Sequence, residues 1–288
     1  MPTYLTAADA ARAHRALDSL HSLIYFAPEA EEELTGVGLR PGRMCYFASR
    51  SAPMGPVSPG VVAATFYNFN PALIRRHIPR AWTLASAEDV VAARFRAVDR
   101  AYQRLLGDET ANGAAVFEAA ELTRVATEGL PVGGRPLFAA HADLDWPEAP
   151  HLALWHAISL LREFRGDGHV VALLAGGLTG LEALVTHTAT GRGFTVEAAK
   201  ATRGWSDEEW AAAEQGLRAR GLVNSEGLTP AGVAVRDAIE AETDRLALEP
   251  WLRLGADRLA RLIELGKELS RAALGAGAFP TGVFATKK

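Results

Sequence analysis

Apolar residues recur three and four positions apart along most of the chain, and strictly alternating stretches are short. Ala10, His14, Leu17, His21 and Ile24 follow a Thr6/Asp9 start signal, the pattern of an amphipathic helix with a capping box. Between Ala87 and Leu106 the apolar positions Val90, Val91, Phe95, Val98, Tyr102, Leu105 and Leu106 mark another, and residues 114–128 predict a third. Residues 44–48 form an apolar run that suits a strand or one helical turn. Residues 61–78 read as a nearly all-buried helix that Pro71 kinks or restarts. Pro150 opens a long helix to Arg165. The glycines of Arg165-Gly-Asp-Gly predict a turn, followed by an apolar helix over residues 169–188.

The segment LPVGGRP, residues 130–136, is the strongest interruption. It divides the chain into an N-terminal helical domain (1–130), a second domain (137–250) and a C-terminal helix with a tail (251–288). In the second domain come Val196–Arg203, a helix started by Ser206 and Glu209, a hairpin turn at Asn224-Ser-Glu-Gly227, and a long helix over 233–248. The fold expected is mostly α, with two helical halves, the second a winged helix with a small β-hairpin. Phe47-Ala48 with its proline-rich loop parallels Phe138-Ala139 with Trp146-Pro147, each ahead of an apolar helix. The halves therefore read as degenerate copies, with GDETANG in place of the first copy's wing. The apolar face of residues 251–274 suits packing across both halves or a homodimer.

Over residues 191–248 this order resembles winged helix-turn-helix regulators of the multiple-antibiotic-resistance type. FASRSAPMGP (47–56), RGDGH (165–169), THTATG (186–191) and GWSDEEW (204–210) together resemble an actinobacterial family known as helix-turn-helix proteins, over most of the chain. The resemblance implies architecture and carries over no catalytic residue. A DNA-reading helix presents arginine, lysine, asparagine or glutamine to base edges. The helix after Ser206 presents Asp207, Glu208, Glu209 and Trp210 instead, and carboxylates there repel phosphate. Arg192, Lys200, Arg203, Arg218 and Arg220 remain as backbone contacts or structural cations.

Composition narrows this further. Among 288 residues, 49% are hydrophobic and 22% charged, ordinary for a globular protein, and a net charge of −4 gives no general attraction to nucleic acid or anionic membrane. Cys45 is the single cysteine, so no intramolecular disulfide forms, and its apolar neighbours suggest an inert thiol. No leader and no spanning apolar stretch is visible, which points to a cytoplasmic protein without membrane contact.

The chemistry concentrates between Trp155 and His187, where Arg162, Glu163, Arg165, Asp167 and His169 interrupt an apolar background. The ligand-binding set expected is His21, Tyr25 and Arg50 from the first half with His156 and Arg162 from the second, and Glu182 and His187 alongside. Arg50 or Arg162 would hold an anionic group. Asp167 would cap the next helix and orient His169, making the two a catalytic proton-handling pair. Arg162, Glu163, Arg165 and Asp167 read equally well as a local ion-pair network. No metal spacing, phosphate loop, nucleophile elbow or haem motif appears, so no metal is expected and no cofactor is named. The reading is a small-molecule-binding protein on a winged-helix scaffold, possible as an enzyme of specialised metabolism. The alternative is a winged-helix DNA-binding regulator with the same pocket as its effector site.

Overall fold

A computed structural model describes residues 4–191 and 193–280. The chain is mostly α-helical with one small two-stranded sheet. α1 (Ala7–Ser22) begins at a Thr6/Asp9 capping box. It is followed by α2 (Pro28–Gly36), α3 (Arg43–Ser51), α4 (Pro59–Thr65) and α5 (Pro71–His77). The apolar run at 44–48 is therefore helical. Pro71 restarts the chain as a new helix, whose first free N–H is taken by the side chain of Asn70. α6 (Ala87–Leu106), α7 (Asp108–Ala111) and α8 (Ala114–Thr127) come next, so the GDETANG segment contains a single helical turn.

α9 (Pro136–Ala142) and α10 (Pro150–Ala175) follow. Here the structure corrects the sequence reading, because α10 runs straight through Arg165-Gly-Asp-Gly with no turn. The glycines serve close approach. A Cβ on Gly168 would lie 3.1 Å from Arg135 Nη1 and 3.2 Å from Leu246 Cβ. The Arg135 guanidinium lies over Phe164 and donates to the Phe164 and Leu246 carbonyls. Helix propensity lost at glycine is small beside a neighbour that needs the space. The break falls after Ala175, and α11 (Gly180–Thr188) starts at a Thr179/Glu182 capping box.

α12 (Val196–Arg203) ends at the left-handed Gly204, and α13 (Asp207–Ala219) starts at a Ser206/Glu209 capping box. β1 (Val223–Asn224) and β2 (Gly227–Leu228) pair antiparallel, Val223 opposite Leu228. α14 (Pro230–Leu246), α15 (Glu249–Leu254) and α16 (Ala256–Gly275) complete the chain, Gly255 (φ 84°) splitting the expected C-terminal helix in two. Arg192 and residues 281–288 lie outside the described residues.

The largest apolar cluster spans the 130–136 interruption. It joins Leu17 and Leu20 of α1, Tyr102 of α6, Leu154, Trp155 and Ile158 of α10, and Leu262 and Leu265 of α16. A second cluster fills α3 to α5 around Phe47, Phe66 and Phe69, and a third lies under α11 to α14 around Leu184, Trp210 and Leu217. Polar bonds tie the second to the third. Tyr67 Oη donates to the Leu178 carbonyl at 2.6 Å, the Asn70 N–H to the Arg203 carbonyl at 2.9 Å, and Trp205 Nε1 to the Asn68 carbonyl at 2.9 Å. Gly180 sits so close that a Cβ there would lie 1.8 Å from the Tyr67 carbonyl oxygen. Among the described residues no single helix is long and apolar enough to cross a membrane, and the apolar pair α10 and α11 is bent by 98°.

Candidate functional site

Glu163, on the buried face of α10, is 0% exposed and accepts hydrogen bonds from two arginines. Arg50, from the last turn of α3, donates Nε to Oε1 at 3.1 Å and Nη2 to Oε2 at 2.8 Å. Arg162 adds a bond from Nη1 to Oε1 at 2.9 Å. Burial opposes ionisation of this carboxyl, yet the two guanidinium groups outweigh it and hold Glu163 well below the usual carboxylate range. The ion-pair network expected within 162–167 is thus a long-range one in its central member.

Arg50 and Arg162 reach the wall of a cavity of about 660 Å³, behind which Glu163 lies buried. Arg50, Tyr46 and the aromatic Phe66–Phe69 segment form one wall; Arg162, His169, His187 and Arg203 come from the other half. The Arg203 guanidinium sits 4.7 Å from the Phe69 ring centre and 4.8 Å from that of Phe194. Its Nη1 donates to Thr202 Oγ1 at 2.9 Å, and its Nε has no hydrogen-bond partner among the described residues. Beside it, burial would raise the Tyr46 phenol. Arg50, Arg203 and Arg162 overcome that and hold it below the ordinary tyrosine value. On the far rim Arg165 pairs with Asp244 at 2.9 Å and Arg236 with Glu240 at 2.6 Å, with Asp237 and Arg15 also in the wall.

His169 lines this cavity but is not served by Asp167. Its Nδ1 lies 2.8 Å from Thr243 Oγ1, whose own hydroxyl donates to the Ile239 carbonyl, so Nδ1 carries the hydrogen. Burial pushes its pKa down to about 4. Asp167 faces α9 and accepts the Phe138 N–H at 2.9 Å, capping the start of that helix rather than the segment after it. Burial first, partly offset by the Phe138 N–H, raises its pKa to about 6. The expected Asp167–His169 pair is therefore not formed, because the uninterrupted helix turns the two residues to different neighbours.

The remaining expected residues divide. Arg50, Arg162, His169 and His187 line the cavity together. Tyr25 lies behind it, its ring 5.2 Å from Tyr46 and its hydroxyl 3.4 Å from Arg94 Nη2. His21 and His156 are fully buried in aromatic cages, His21 stacked on Trp155 at 5.3 Å and His156 edge-on to Trp146 at 4.8 Å. They are packing residues outside the cavity. Glu182 caps α11 and pairs with Arg220 at 3.0 Å, also outside it. The sequence does not single out Tyr46, Arg94 or His141 as site residues; it offers Glu163 only as a member of a local ion-pair network and Arg203 only as a backbone-contact or structural cation. Among the described residues no group of three or more His, Cys, Asp or Glu is placed to hold a metal ion. Cys45 is buried, and its thiol is pushed up to about 11 by burial, as expected for an inert side chain.

Two facts bear on α13. Its first turn exposes Asp207, Glu208 and Glu209, and Asn70 Nδ2 lies 3.1 Å from both Glu209 carboxylate oxygens.

A profile described as a helix-turn-helix family matches residues 10–280. No curated protein and no solved structure matches the chain.

Proposed function

The chain belongs to the helix-turn-helix family matched over residues 10–280, and we propose that it uses this scaffold to bind a small organic anion in the cavity beside Arg50 and Arg203. The observation that carries this reading is a charge imbalance. Arg50 and Arg162 share one buried carboxylate, Glu163, with Asp18 a further 3.9 Å partner of Arg162, while Arg203 has no carboxylate within ion-pair distance among the described residues. Cations withdrawn from water cost free energy unless paired, and an occupant that supplies the missing negative charge is held strongly. The aromatic walls, Phe66, Phe69 and Phe194, suit an organic body attached to that charge, as pockets for small molecules generally do. Neutral His169, hydrogen on Nδ1, leaves Nε2 as an acceptor for a hydroxyl or amide on the same molecule.

A winged-helix DNA-binding regulator is the second reading. The succession α11, α12, α13, hairpin and α14 favours it, as does membership of the family. Against it stand the three exposed carboxylates at the start of α13 and the tie between Glu209 and Asn70. The two readings share the cavity and differ in the partner of α13.

Thermal-shift measurements with a panel of aromatic and aliphatic carboxylates, sulfonates and phosphate monoesters at fixed ionic strength test the first reading. Saturable stabilisation by one class, absent for its neutral amides or alcohols, is expected. A gel shift with genomic fragments at low salt tests the second. A specific shift with no anion response would reverse the order of the two.

A further inference from the structure

Arg94 projects from the buried face of α6 and is 4% exposed. Its Nη1 donates to the Ser49 carbonyl at 3.2 Å and lies 3.2 Å from His141 Nε2. His141 Nδ1 contacts the Leu137 carbonyl at 2.8 Å, so that nitrogen carries the ring hydrogen and Nε2 accepts from Arg94. The imidazole is neutral, pushed down to about 3 by burial and by Arg94 itself. The Arg94 Nη2 reaches only the Tyr25 hydroxyl, at a long 3.4 Å, and Nε has no partner in the described chain. Every polar partner of this buried cation is therefore uncharged. The Nε/Nη2 edge, by which Arg50 grips Glu163 at 3.1 and 2.8 Å, holds no carboxylate in Arg94.

Arg94 also forms part of the wall of a second chamber, of about 430 Å³, separate from the larger cavity and sharing Tyr46 with it. Ile24, Phe26, Leu34 and Ala97 give that chamber an apolar body. Its other charged wall members, Arg43 and Glu31, cancel in sign, and Glu31 already accepts the Gly42 N–H at 2.8 Å. An arginine keeps its charge at any ordinary pH, so among the described residues the chamber carries one cation with no ion-paired carboxylate, only the more distant pull of Glu163.

We infer that this chamber is a second binding site, which takes a carboxylate with a short apolar chain and seats the carboxylate on Arg94 beside the Tyr25 hydroxyl. The Arg94 guanidinium in the chamber wall supplies the charge that one carboxylate matches, and the apolar walls take the chain. A phosphate dianion would bring a second negative charge for which the chamber has no second unmatched cation. The assignment stands whatever occupies the larger cavity.

Calorimetric titration of sodium hexanoate into the full chain, with hexanamide as the neutral control, tests it. In Arg203→Gln, which removes the unmatched cation of the larger cavity, hexanoate binds one to one and hexanamide does not. Adding Arg94→Gln to that protein weakens hexanoate by about tenfold or more, the scale of one charge-assisted hydrogen bond. Ala30→Phe keeps Arg94 and grows into the chamber from α2, and it weakens hexanoate too. That variant decides the matter should Arg94→Gln fail to fold. No binding, equal binding of hexanamide, undiminished binding in Ala30→Phe, or a loss confined to Arg203→Gln would each overturn the assignment.

Discussion

Arg50 and Glu163, 113 residues apart, meet in a bidentate pair whose carboxylate is wholly buried. The pair fastens α3 to α10 beside the larger cavity, whose wall Arg50 joins.

Removing one partner of such a pair leaves the other charge buried and unpaired, which typically costs about 3–5 kcal/mol. Glu163→Gln strands Arg50 and leaves Arg162 only its 3.9 Å contact with Asp18, so its unfolding free energy in urea falls by about that amount. A loss below about 1 kcal/mol would mean that water already screens the site.

Acid sensitivity has a predicted window. Burial lowers His14, His156 and His169 from 6.5 to about 4 and His141 to about 3. Between those values the unfolded chain takes up protons that the folded chain refuses. Each such histidine then removes about 1.4 kcal/mol of stability per pH unit as the pH falls through the window. Glu163 adds to the loss below 4.5, because its depressed pKa makes its contribution present above that value and lost as acid protonates it. Asp167 acts oppositely: raised to about 6, it holds its proton in the folded chain and gains stability as the pH falls through 6. Several histidines against one aspartate give a net fall, measurable as a drop in urea midpoint from pH 6.5 to pH 5. A flat profile would show that these rings are hydrated.

The seam between the halves depends on a missing methyl group. Gly180→Ala places Cβ against the Tyr67 carbonyl, where nothing can yield without moving the segment before α5 or the start of α11. A cost of about 1–3 kcal/mol follows, together with weaker ligand binding, since Tyr67 and Ala183 both line the cavity. Unchanged stability would mean that the approach is looser than 1.8 Å implies.

Much of the helical plan was legible because it is local. The periodic apolar positions of α6 and the capping signals of α1 and α13 lie within a few residues of the structure they specify. Arg50, Arg162 and His169 were also recognisable, as charged or titratable groups in an apolar setting. Pairing was not legible: nothing near Glu163 in sequence announces Arg50, and Arg94 and Arg203 look like ordinary helix-face arginines. The glycines at 166 and 168 misled for a related reason. They read as a turn when seen locally, whereas Gly168 is needed by Arg135 and Leu246, residues that only the folded chain brings near. His21 and His156 sat on an apolar stripe, where a packed imidazole and a ligand-binding one look alike in sequence.

The central claim is that unmatched guanidinium charge makes the larger cavity an anion site. The most direct measurement is the binding heat of the best-stabilising organic anion, titrated into wild-type protein and into Arg203→Gln. One-to-one binding weakened by about tenfold or more in the variant, with its urea midpoint at neutral pH unchanged or raised, is the predicted result. Equal affinity in the two proteins, or no binding by any anion class, would contradict it.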